Sequence, residues 1–260
     1  RYQQTFLQAK LDARDSAINT KKMQENLMEI NQHANYFKEV SAENLATNVS
    51  LSTYYGLQGK QLAEVTNNAT LQGKSQEKVK DEIIGAVNAG RKQTGLLIDA
   101  RKIMQGVNSV TSDMKANFHG NTAAIAEALV TMEALGTTLE ATQASAGALL
   151  NFEQSIGAEL EAELLLGKQL NLEKARMYAL DDDMVGLATE LSAQAGGYHG
   201  WMDMNRIQKE AMAKALGKSV GEMSTMLEQE MIAKMTAEER AAVTDEDLKK
   251  KIEQQTAQQE

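Results

Sequence analysis

The sequence predicts an all-α chain, a long coiled-coil rod followed by a small module of short packed helices. Three observations carry that expectation. No proline occurs in 260 residues, where average usage would place roughly 13. Ala, Leu, Glu, Gln, Lys and Met abound, while the β-branched and aromatic residues that feed strands are scarce. Apolar residues also recur with a heptad period over most of the chain. Aromatics make up 4% of a chain that is 42% hydrophobic, which suits helix-on-helix packing and an elongated shape better than one large globular core.

The first expected domain is the rod, residues 1–148. With Phe6 at heptad position a and Ala9 at d, counting by sevens without adjustment reaches Leu160. Of the 45 a and d positions, 31 are apolar and Glu153 alone is charged, against about 11 charges at the chain's average frequency. The expected seam comprises Leu27, Ile30, Phe37, Leu51, Leu62, Val65, Ile83, Leu97, Met104, Val107, Phe118, Ile125, Leu135 and Leu139. Polar layers at Ser41, Asn44, Asn48, Gln58, Gln72, Gln76, Gln93 and Asn121 would fix register and cost stability. Glycines from Gly56 to Gly147 predict breaks in a weakly stabilised helix. The string LQGK recurs at 57–60 and 71–74, two heptads apart, and hints at repetition along the rod.

The second expected domain, residues 149–235, is a compact module with denser leucine and ordinary capping signals. A helix from Phe152 would end near Leu180, with Phe152, Ile156, Leu160 and Leu164 among its packing residues, joined in the core by Trp201 and Leu216. Asp182 or Asp183 would cap the next helix, with Asp183 preferred, and Gly196 and Gly197 would stop it. Gly217 closes the helix after it, and Ser219 with Glu222 has capping-box spacing. Residues 236–260 are expected as short polar helices leading to the rest of a longer chain, because the sequence opens at Arg1 and stops in a polar run.

Composition excludes several function classes. Without cysteine there is no disulfide framework, thiolate metal site or Cys nucleophile. No apolar run approaches a membrane-spanning length. A net charge of -9 opposes wholesale phosphate-backbone binding. Gly73-Lys74-Ser75 and Gly167-Lys168 suggest a phosphate loop, but the glycine that should precede the pair by five residues is Asn68 in one and Ala162 in the other. Asp181, Asp182 and Asp183 lack the spacing of a calcium loop and suit a helix start. His33, His119 and His199 are too scattered for a zinc motif. Ala213, Gly217 and Met223 fall at helix-turn-helix positions, yet the second helix carries Glu222, Glu228 and Glu230 and would repel phosphates. Trp201 with Met202, Met204, Met212, Met223 and Met226 reads as an adaptable core or partner surface. No catalytic constellation, cofactor or metal is expected, so the chain reads as non-enzymatic.

The run from Phe152 to Leu191, followed by the run from Met204 to Leu227, resembles a segment of the tail tape-measure proteins of tailed bacteriophages; the resemblance covers residues 145–230. It implies a long helical virion structural protein inside the tail tube that sets tail length and leaves ahead of the DNA. The implied partners are further copies of itself, as a parallel trimer or higher bundle, and the tail tube proteins. Specific nucleic-acid binding is not implied. The alternative readings are a helix-turn-helix DNA-binding regulator and a cellular scaffold or signalling coiled coil.

Overall fold

The computed structural model describes residues 20–33 and 41–235 together with Glu239. Among them the fold is all-α, with fourteen helices and no strand. In order these are α1 (Thr20–His33), α2 (Ala42–Tyr55), α3 (Gly59–Leu71), α4 (Gln76–Thr94), α5 (Ala100–Val107), α6 (Ser112–Asn117) and α7 (Thr122–Ala134). There follow α8 (Leu139–Leu150), α9 (Phe152–Leu166), α10 (Glu173–Leu180), α11 (Met184–Gln194), α12 (Gly197–Met202), α13 (Arg206–Ala215) and α14 (Val220–Lys234). The short helices expected in 236–260 lie outside the described residues.

A long coiled-coil rod is not confirmed. The described part of residues 1–148 is a succession of helices that runs from 6 residues in α6 to 19 in α4. Their ends are set by local chemistry. Gly73 follows α3 with φ +62, and its N–H reaches the Thr70 carbonyl at 3.1 Å while the Lys74 N–H reaches Ala69 at 2.9 Å. That pair of bonds satisfies the carbonyls a helix leaves open, in a backbone conformation glycine adopts without strain. The two LQGK strings therefore have opposite roles: the first opens α3 at Gly59 and the second closes it at Gly73.

The chain forms two compact units, one running to Gly90 and resuming over Ile98–Val130, the other comprising Arg91–Leu97 and the chain from Thr131 onward. In the first, α1 packs on α2 and α3, and α2 also meets α5. Met23, Leu27, Leu45 and Val49 form one buried cluster, and Leu51, Leu57, Leu62, Val65, Ile83, Val87 and Met104 are buried as well. Polar groups inside are largely paired within the unit. Asn68 Nδ2 donates to Asn108 Oδ1 at 3.3 Å, Gln76 Nε2 to Thr66 Oγ1 at 2.9 Å, and Lys115 bridges to Glu64 at 2.6 Å.

In the second unit α9 lies along α13, α10 packs on α8 and α11, and α12 packs on α14. Gln208 Nε2 donates to the Leu165 carbonyl and Lys214 bridges to Glu161, so the chain runs in opposite directions in α9 and α13. Leu139, Leu149, Leu172, Leu187, Leu191, Met212, Leu216, Met223, Met226 and Leu227 are buried, as is Trp201, whose Nε1–H donates to Ser224 Oγ at 3.0 Å.

Candidate functional site

Most of the seam residues are core within this chain. Leu27, Ile30, Leu51, Leu62, Val65, Ile83, Met104, Val107, Ile125 and Leu139 are buried, and Phe118 and Leu135 are half-buried. Leu97 departs from expectation: it is 99% exposed, because it sits in the non-helical stretch between α4 and α5, where helical periodicity has no meaning. Phe37 lies outside the described residues. The polar layers divide. Ser41 caps α2 by accepting from the Asn44 N–H, Asn121 accepts from the Ala123 and Ala124 amides, and Gln72 donates to Thr122. Asn48 is fully buried, with neither atom of its amide hydrogen-bonded among the described residues. The Asn26 amide nitrogen is in the same position.

The module corrects a larger part of the reading. Phe152, Ile156, Leu160 and Leu164 are 49, 47, 59 and 84% exposed, so they do not pack the module. The face that does carries Ser155, Ala158 and Ala162, and these small side chains let α13 come close. The single helix expected to Leu180 is broken: Gly167 ends α9 with φ 67, and α10 begins at Glu173. Two carboxylates from α9 hold the intervening loop. Glu163 accepts from the Leu170 N–H at 2.8 Å and Glu159 from the Leu172 N–H at 3.0 Å. Glu159 also pairs with Arg176, whose guanidinium donates to Ser155 Oγ and is nearly buried. Sequence reasoning does not single out Arg176. Its signal was the pair Glu159 and Glu163, two acids on one helix face just before a glycine break. Lys174 bridges to Glu190 at 2.8 Å, and the hydrogen bond from Lys174, helped by one from Gln194, holds the Glu190 carboxyl below the usual carboxylate range.

Trp201 and Leu216 are buried as module core. The three caps sit where expected. Asp183 Oδ1 accepts from the Gly186 N–H at 2.8 Å and opens α11. Asp181 closes α10 and Asp182 takes φ 55 between them, so the aspartate run spends one residue on each step of a helix-to-helix turn. Gly217 has φ +67, and a Cβ there would stand 2.8 Å from Ala148 Cβ. Ser219 and Glu222 complete a capping box, and the bonds from Ser219 lower the Glu222 pKa. The hairpin α13–α14 is thus packed on α8, with Ser145 Oγ donating to the Gly217 carbonyl at 3.1 Å. Lys218, within the turn, is nearly buried; burial pushes its amine below the usual lysine range. The exposed face of α14 presents Glu222, Glu228 and Gln229, and its first basic residue is Lys234.

The remaining chemistry is sparse. Lys74 bridges to Glu82 at 2.7 Å. A 370 Å³ pocket lies between α12 and α14, lined by Tyr198, His199, Leu227, Glu230, Met231 and Lys234 among others. Glu230 there accepts from Ser192 and bridges to Lys234. Among the described residues no group of three His, Asp or Glu side chains is placed to hold a metal ion, and no helix is long and apolar enough to cross a membrane. No protein family, no curated protein and no solved structure matches the chain.

Proposed function

We propose that the chain is a segment of a tail tape-measure protein of a tailed bacteriophage, a non-enzymatic virion component lying inside the tail tube. The observation that carries the reading is the resemblance over residues 145–230. The all-helical fold supports it, as do the absence of proline and cysteine and the acidic balance of the chain. We further infer that residues 1–148 extend into a coiled-coil rod when the protein is assembled with other copies of itself and with the tube. Two features support that step. The heptad count runs without adjustment through every turn of the first unit, which a set of separately folding short helices has no need to preserve. In the folded-back state the buried Asn48 amide also has no hydrogen-bond partner among the described residues, and asparagine layers in coiled coils pair across chains. Extension exchanges contacts within one chain for the same seam contacts between chains.

Tail length tests the proposal. In-frame deletions of whole heptads between residues 41 and 130, introduced into the phage gene, shorten the tail by about 1.5 Å per residue removed. Electron micrographs of the resulting virions read that length. Tails of unchanged length in viable deletion phage defeat the reading.

A further inference from the structure

The pocket between α12 and α14 gathers soft donor atoms from two helices. His199 borders it from α12, and Met231 and Met235 border it from α14 and its C-terminal cap. Residues four apart on a helix lie on one face, so a single turn carries two thioethers to the same 370 Å³ space. Both methionines are half-buried and His199 is exposed. Among the described residues the His199 ring has no hydrogen bond, and its ring contact is an edge-on one with Tyr198 at 5.6 Å between centroids.

The oxygen donors of the pocket are a poor set for a hard ion. Glu230 is taken up by Ser192 and Lys234, whereas calcium or magnesium needs several carboxylate or carbonyl oxygens around it. Thioethers are soft, polarisable and uncharged donors that select cuprous ion, and imidazole suits copper as well. Charge agrees with a monovalent occupant, because Glu230 and Glu239 set against Lys234 leave the pocket with one negative charge. We propose that Met231, Met235 and His199 form a binding site for Cu(I), with two sulfurs and one imidazole nitrogen as its ligands. This inference is independent of the tape-measure reading, because it rests on the second unit alone.

The test titrates the full 260-residue chain with Cu(I), kept reduced by ascorbate under nitrogen, in competition with the coloured chelator bicinchoninate. The wild-type chain should withdraw one equivalent of Cu(I) from the chelator. The double variant Met231→Leu, Met235→Leu removes both sulfurs at nearly constant volume; it should keep its helical circular dichroism and lose roughly tenfold or more in affinity. His199→Gln changes an exposed side chain and should also weaken binding by roughly tenfold or more. If the double variant fails to fold, the His199→Gln titration decides alone. A chain with 14 methionines needs a control for diffuse capture, and Met177→Leu, exposed on α10, should bind as wild type does. A wild-type chain that takes no Cu(I) from the chelator overturns the proposal. So does undiminished affinity in the folded double variant or in His199→Gln, and so does a loss in Met177→Leu as large as theirs.

Discussion

At Gly90 a missing side chain decides how close two helices come. A Cβ there would lie 2.1 Å from Val130 Cγ1 and 3.3 Å from Ile98 Cδ1, so α4 and α7 touch where only hydrogen fits. Gly90→Ala gains helix propensity but forces the branched Val130 aside, and it should destabilise by about 1–3 kcal/mol. Gly85 on the same helix is the control: a Cβ there meets nothing within 4 Å, and Gly85→Ala should stabilise by about 0.5–1 kcal/mol. Urea midpoints for the two variants should move in opposite directions. Lys218 is a residue-scale case of another kind. Burial lowers its pKa, so between the folded value and the ordinary lysine value the unfolded chain binds more protons, and stability rises with pH across that alkaline window. Lys218→Met should raise the melting temperature near neutral pH and remove Lys218's share of the alkaline rise. Melting curves taken from pH 7 to about pH 10.5 compare the two slopes; an unchanged slope excludes Lys218 as its source.

At the scale of elements, the break between α9 and α10 is held by an ion pair and by carboxylate bonds to backbone amides. Arg176→Ala would leave the poorly exposed Glu159 carboxylate with the Leu172 amide but without its cation, and such unpaired charges cost about 3–5 kcal/mol. Arg176→Lys keeps the charge and gives up the guanidinium's fork to Ser155 and Glu159, so its loss should be smaller. Equilibrium denaturation orders the three proteins; equal stability of wild type and Arg176→Ala would show that the pair contributes nothing. Three helix ends of the module were legible in the sequence, because the signals at Asp183, Gly217 and Ser219 are local and each satisfies its own helix terminus. The direction of α9 was not. Its leucines and its alanines are both helical faces, and only the closeness of α13 determines that Ala158 and Ala162 turn inward.

For the whole molecule, the same seam can be buried in two ways, within one chain or between chains. A net charge of -9 opposes bringing copies together, and added salt screens that repulsion. Under the proposed function, sedimentation velocity should show heavier species as protein and salt concentrations rise, and small-angle scattering should show those species to be elongated. A compact monomer at every concentration and salt level would remove the self-association and the rod.

What the sequence determined by itself is the all-helical class, the caps at Asp183, Gly217 and Ser219 and the identity of the seam as an apolar set. All three rest on backbone preference, on bonds within a few residues and on burial that is indifferent to the partner. Tertiary structure alone decided which partner covers the seam. Leu51, Leu62 and Ile83 are buried within their own chain, because turns such as that at Gly73 end a helix before a long one can form. A heptad pattern specifies that a stripe must be covered and carries no record of whether the cover is another chain or the same one. The exposed ridge on α9 and the buried Arg176 were decided at the same level, since each depends on how closely a helix remote in sequence approaches.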